Sequence, residues 1–319
     1  MRNAEWGMGR RYYSHSPLNI QHSALPTPYF ETLMNNRTLL LGAVAYDPKV
    51  VTIWEGFKAW FDKRDLAFDY ILYSNYERQV ESHLAGHFHI AWNSPLAWVR
   101  AARLARAAGR RAEAVAMRDT DQNLTSVVVV RSDSSINSIA DLKGKRVGVG
   151  AIDSPQATLL PLSHLRAKGA APFADFEVAR HDLLGGKHGD HIGGEREAAR
   201  ALIAGAVDAA CMIDSNYLLF INEGTLPAGA TRALAQTAPY DHCNFTALDD
   251  APRNLINRFR DLLLGMSYDD PEVRPLLDLE GLKAWRPGRV VGYRALEQAV
   301  GEMEFYDDLG NITVADYRY

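Results

Sequence analysis

The chain has 319 residues, 47% of them hydrophobic, and 35 Lys plus Arg against 39 Asp plus Glu give a formal net charge of -4. That length holds one large or two medium cores, and the acidic balance excludes the basic footprint expected of a nucleic-acid partner. Two cysteines, Cys211 and Cys243, exclude a disulfide scaffold.

Residues 1–38 read as an irregular arm broken by Pro17, Pro26 and Pro28. Leu39 to Ala45 reads as a strand, apolar throughout as in a parallel sheet covered on both faces. Val50, Ile53, Trp54, Phe57, Trp60 and Phe61 recur at helical spacing and predict an amphipathic helix over residues 49–63. A strand at 68–73, a helix at 77–85 closed by Gly86, a strand at 90–92 and a helix opened by Pro95 follow. On that last helix and just past it, Arg100, Arg103, Arg106, Arg110 and Arg111 read as a solvated face. The alternation predicts a parallel sheet with helices on both faces.

After a strand at 112–117 and the polar turn Asp119 to Asn123, the alternation restarts. Val127 to Val130 is a β-branched strand, Ser138 and Asp141 fit a capping box, and Val147 to Val149 is a second buried strand. Asp153-Ser154-Pro155 then opens a helix over 154–168, so a small polar loop meets a helix N-terminus, a cradle for an anion or polar ligand. A strand at 176–180, a Gly- and His-rich loop at 181–195, a helix at 196–203, a strand at 206–212, a helix at 215–222 and a strand at 231–237 complete the second round. From Phe245 the chain reads as mostly helical, with helices at 252–264, 271–277 and 293–305. Two rounds and a helical tail predict two α/β lobes with a ligand between them, at the carboxyl ends of the strands.

Three blocks then carry a resemblance: SVVVVRSDSSINSIADLKGKRVGVG, SNYERQVESHLAGHFHIAWNSPLAWV and AARALIAGAVDAACMIDSNYLLF. In their succession the chain resembles, from about Leu39 to Phe305, the phosphate/phosphite/phosphonate-binding family of ABC-transporter solute-binding proteins. The resemblance implies the type 2 periplasmic-binding-protein fold, an α/β architecture of two lobes joined by two crossing strands with the ligand cleft between them. Residues 1–38 would then be an N-terminal arm, 39–123 plus 243–319 the first lobe and 124–242 the second. It implies a protein that closes over a small polar solute by hinge motion and passes it to an ABC permease.

Carried over position by position, Tyr76 matches an aromatic against the ligand, Asn93 and Ser94 follow the third strand at the cleft, and Ser154 matches the first hydroxyl of an anion loop. Asp214 falls where the family places a polar contact, and Glu195 replaces a histidine of a Gly-Ser-His turn. Tyr46, at a strand end, Gln156, in the loop, and His242, on the second crossing, complete the candidate ligand-binding set. The family loop runs Asp-Pro-x-Ser-Thr-Ser-Gly, whereas residues 151–157 read Ala-Ile-Asp-Ser-Pro-Gln-Ala. Two hydroxyls are gone, Pro155 removes a backbone donor, and Asp153 is an acid beside the expected anion. The expectation is a degraded anion loop and a less charged or partly cationic ligand.

His188 and His191, with Asp182, Asp190 and Glu195 nearby, are candidate ligands for iron or zinc, and no cofactor is otherwise predicted. Asp241-His242-Cys243-Asn244 is a second group of such side chains. His242 and Cys243 are adjacent on an expected strand and should point to opposite faces, which argues against a nucleophile pair. The alternatives to a receptor are a cytoplasmic enzyme on the same fold, with metal- or histidine-assisted lyase- or decarboxylase-like chemistry, and a cytoplasmic ligand sensor. The first 36 residues hold no apolar stretch of signal-peptide length, and nowhere is there a membrane span. The expected location is therefore cytoplasmic, or periplasmic if the N-terminus is processed.

Overall fold

The first sheet is built around β1 (Leu39–Val44), six buried residues that pair in parallel with β2 (Phe68–Tyr73) on one side and β3 (Ile90–Asn93) on the other. The computed structural model describes residues 37–183, 192–315, 317 and 319. Between these strands run α1 (Lys49–Asp62) and α2 (Tyr76–Leu84), and α3 (Pro95–Ala107) leads to β4 (Ala112–Arg118). The apolar face of α1 buries Val50, Ile53, Trp54, Phe57, Trp60 and Phe61 against the sheet, the face that the helical spacing defines. Asn75 caps α2 by accepting from Arg78 N (2.9 Å), and Ser94 caps α3 by accepting from Ala97 N (3.1 Å) with Pro95 in the first turn.

The second sheet holds β5 (Ser126–Arg131), β6 (Arg146–Val149), β7 (Glu177–Arg180), β8 (Ala209–Ile213) and β9 (Thr231–Gln236) in the order β7-β6-β8-β5-β9. The Ser138 and Asp141 side chains do form the expected capping box. Pro155–Leu159 forms a π-helical turn before α4 (Leu160–Ala167), where the sequence predicts one continuous helix from Ser154. The glycines Gly193 and Gly194 lie inside α5 (Ile192–Ile203) rather than in a loop, and α6 (Asp214–Asn222) follows β8. Residues 184–191, including the metal candidates His188 and His191, lie outside the described residues.

The largest correction concerns the tail. β10 (Asn244–Leu248) is a fully buried strand inserted antiparallel between β3 and β4, and β11 (Trp285–Pro287) extends the same sheet to the order β11-β4-β10-β3-β1-β2. Both sheets are therefore mixed rather than parallel. All five residues, Asn-Phe-Thr-Ala-Leu, are buried although two are polar, and so short a run does not by itself separate a strand from a helix. The helices α7 (Arg253–Leu264), α8 (Arg274–Glu280) and α9 (Arg294–Glu302) follow as expected from the periodicity.

Arg100 and Arg103 do not form a solvated face. Arg103 donates to the carbonyls of Tyr306 (2.8 Å), Asp307 (3.0 Å) and Glu297 (3.1 Å), and Arg100 to those of Gly310 (3.2 Å) and Glu77 (3.1 Å). The C-terminal segment folds back over α3 and satisfies its carbonyls on these guanidiniums. Arg106 and Arg111 stay exposed.

Candidate functional site

The chain crosses between the sheets twice, at Leu124 and at Tyr240, which exchange backbone hydrogen bonds in both directions (2.9 Å each). Around this crossing lies a cleft of about 580 Å³ lined by Tyr46, Arg118, Asp121, Gln156, Asn216 and His242 among others. The lining side chains come from carboxyl ends of strands: Tyr46 follows β1, Arg118 ends β4, and Asn216 lies in the first turn of α6 after β8. That is where an open α/β sheet presents its loops and helix N-termini to a ligand.

Of the candidate residues, Tyr46, Gln156 and His242 line this cleft. Glu195 lies just behind the wall, 1% exposed, accepting from Ile213 N (3.0 Å), Asn216 Nδ2 (3.0 Å) and Gln156 Nε2 (3.3 Å). Burial pushes the Glu195 carboxyl up against the opposing pull of these donors. Its place in α5 makes it the organiser of Gln156 and Asn216. Asp214 is half-buried and accepts from Thr125 Oγ1 (2.6 Å) beside the first crossing.

The remaining candidates are not among the side chains that line this cleft. Tyr76 is buried among Val44, Val80, Ala97 and Ala101. Asn93 is fully buried, accepting from Gln79 Nε2 (2.8 Å) and donating to Thr246 Oγ1 (2.8 Å), and so ties β3 to β10. Ser94 and Ser154 are helix caps, each 1% exposed. In the loop after β6, Ser154 Oγ accepts from Ala157 N (3.2 Å) and Thr158 Oγ1 donates to Ala151 O (2.7 Å). Thr158 thus donates its proton to the loop's own backbone while Ser154 accepts from it, and the side chain the loop turns to the cleft is Gln156.

The electrostatics of the cleft centre on residues that no local sequence pattern singles out. Arg118 donates to Asp121 through Nε (2.6 Å) and Nη2 (2.9 Å), and its Nη1 reaches Glu280 Oε1 at 3.4 Å. Its guanidinium also lies 5.3 Å from the Trp92 ring centre. Burial works to raise the Asp121 pKa, but Arg118 and His242 outweigh it and hold the carboxyl down at about 2. His242 Nδ1 lies 3.6 Å from Asp121 Oδ1 and 3.1 Å from Cys243 Sγ. The expectation that His242 and Cys243 point apart is thus wrong, because both precede β10 and the alternation of a strand does not apply to them.

This corner is held rigidly. Asp241 accepts from Arg289 Nε (2.7 Å) and Nη2 (2.6 Å), and His242 N donates to Asp121 O (2.8 Å). A Cβ on Gly292 would stand 2.2 Å from Asp241 Cγ, so only glycine lets that backbone approach so closely. Cys211, by contrast, is fully buried in β8 with its thiol pushed up to about 12 by burial, as expected of an inert core thiol. A second cavity, of about 320 Å³, lies between α4 and the C-terminal segment; it is walled mainly by Ile152, Leu159, Leu162, Met303, Phe305 and Val314, with Thr158 and Arg180 as its polar lining.

Residues 44–290 match the family described as "ABC transporter, phosphonate, periplasmic substrate-binding protein". Among solved structures, PhnD1 from Prochlorococcus marinus in complex with methylphosphonate is 18% identical with a TM-score of 0.61, covering 85% of this chain and 99% of that one. A Xanthomonas citri protein bound to ATP is 15% identical with a TM-score of 0.64, covering 84% and 98%. The periplasmic aliphatic sulphonate binding protein SsuA from Escherichia coli is 16% identical with a TM-score of 0.52, covering 84% and 91%. The type 2 periplasmic-binding-protein architecture expected from the sequence is what these matches share. The family is described as periplasmic, and the cytoplasmic expectation finds no support; nor does the enzyme alternative. No helix among the described residues is long and apolar enough to cross a membrane.

Proposed function

The chain belongs to the phosphonate-binding family of periplasmic substrate-binding proteins of ABC transporters, and on that premise we propose that its two lobes close over a small neutral, zwitterionic or ammonium-bearing solute rather than a doubly charged phosphonate. The observation that carries this reading is the state of Arg118. The guanidinium among the described lining residues is forked onto Asp121 and touched by Glu280, so its charge is already neutralised. Asp47 adds a further carboxylate to the lining, and Glu195 stands behind Gln156 and Asn216. A dianion entering here would shed its hydration against carboxylates and meet no unneutralised guanidinium among these groups. In the loop that would cradle it, the Thr158 hydroxyl donates to the Ala151 carbonyl and Ser154, 1% exposed, caps the following turn.

What the lining does offer is a mixed polar surface of Gln156, Asn216, Thr120 and Ser215, with Tyr46 for apolar or cation–π contact. Closure would bring the β1 and β4 ends onto the α5–α6 side around the Leu124–Tyr240 crossing, and an ABC permease would receive the closed form. A thermal-shift panel of alkylphosphonates, alkylsulfonates, amines and amino acids tests the reading, since stabilisation grows with ligand excess over its dissociation constant. The expected pattern is stabilisation by amines or zwitterions, weakened in Gln156→Ala and Asn216→Ala and kept in Ser154→Ala. Stabilisation by methylphosphonate that vanishes in Ser154→Ala would show that the anion loop still works and would overturn it.

A further inference from the structure

We propose that Asp121 Oδ1, His242 Nδ1 and Cys243 Sγ form a binding site for a divalent first-row metal ion, zinc by the chemistry of its donors, at the wall of the cleft. The three ligand atoms lie within 4.8 Å of one another, with 3.1 Å from imidazole to sulfur and 3.6 Å from imidazole to carboxylate. In a tetrahedral zinc shell such ligand atoms stand roughly 3.2–3.7 Å apart, so the cluster needs at most about 1 Å of contraction on binding. Thiolate, imidazole and carboxylate together suit zinc, whereas an all-oxygen set would suit calcium or magnesium.

The surroundings match a dication in charge. Asp121, Glu280 and a Cys243 thiolate are three anions against the single guanidinium of Arg118, leaving two negative charges for the metal to balance. The supporting contacts resemble those around established metal ligands. Arg118 fixes the Asp121 carboxylate with two hydrogen bonds, Asp121 O receives His242 N, and the Tyr293 hydroxyl donates to His242 O (2.7 Å). Asp121 and His242 both line the cleft, so a fourth coordination position would open to the solute space. Three protein ligands with one open position is the arrangement of zinc sites that bind an exchangeable partner. The cluster unites the two crossings, since Asp121 precedes the first and His242 follows the second, and metal binding would therefore stiffen the hinge.

The test needs no knowledge of the solute, so its failure is separate from failure of the receptor reading. The full chain, stripped of metal with a chelator, is titrated with cobalt(II) as a spectroscopic stand-in for zinc. The expected result is one cobalt per chain, with thiolate-to-cobalt charge-transfer absorption in the near ultraviolet and intense visible bands of four-coordinate geometry, both abolished by added zinc. Cys243→Ser should lose the charge-transfer absorption and bind zinc at least about a hundredfold more weakly, while Cys211→Ser keeps both. The wild-type spectrum decides the matter even if a variant folds poorly. Absence of the thiolate band in the wild type, or its persistence in Cys243→Ser, would overturn the proposal.

Discussion

His83 shows how a single buried side chain ties stability to pH. It lies in α2, 2% exposed, stacked on Phe88 with ring centres 4.8 Å apart. Burial lowers its pKa from 6.5 to about 4, outweighing the nearby His89 backbone. The folded state therefore keeps it neutral where the unfolded chain takes up a proton. Its contribution is present above pH 6.5 and is lost as pH falls toward 4, about 3 kcal/mol in all. His83→Phe keeps the stack, and the adjoining cavity of about 70 Å³ gives it room. Denaturant unfolding should show the wild type losing about 3 kcal/mol more than His83→Phe between pH 7 and pH 4; equal losses would mean that the histidine is charged in the fold. At this scale the candidate site was partly legible. Tyr46, Gln156 and His242 were readable because each sits at a strand end, in a cradle loop or on a crossing. Ser94 and Ser154 cap helices, and sequence does not separate a cap from a ligand contact, since both use the same residue type at the start of a helix. Arg118 and Asp121 were missed because their meaning comes from Glu280 and His242, more than a hundred positions away.

Among the elements, α3 and the C-terminal segment form one unit. Arg103 satisfies three carbonyls of that segment and α9, and the Tyr317 hydroxyl donates to Glu77 Oε1 (2.7 Å) in α2. Charge-assisted bonds of this kind, removed together, leave buried carbonyls unsatisfied. Arg103→Ala should lower the unfolding free energy by about 3 kcal/mol, and Arg103→Lys should recover less than half, since a single ammonium cannot reproduce the planar fork. Urea denaturation of the three proteins checks this; full recovery by lysine would mean that charge alone matters. The helices α1, α2 and α3 were legible from apolar spacing and caps, which are local. The same spacing logic placed Arg100 and Arg103 in solvent, because the segment that covers α3 arrives two hundred residues later. β10 was illegible for the converse reason: Asn244–Leu248 becomes a strand by pairing with β3 and β4, not by any pattern of its own.

Across the whole molecule, two mixed sheets meet at the Leu124–Tyr240 crossing, and an apolar cluster spans both halves. In that cluster Leu96 and Trp98 of α3 and Leu296 and Val300 of α9 pack with Leu159 and Leu160 beside the loop after β6. The alternation of strands and helices, visible along the chain, carried the family resemblance and the fold. The proposed ligand preference rests instead on the charges that long-range folding brings to Arg118. The most direct test is a calorimetric titration of the full chain with methylphosphonate, beside the best amine or zwitterion from the thermal-shift panel. The neutralised Arg118 predicts saturable heat from the amine or zwitterion and none from methylphosphonate. Tight, one-to-one binding of methylphosphonate would contradict the account.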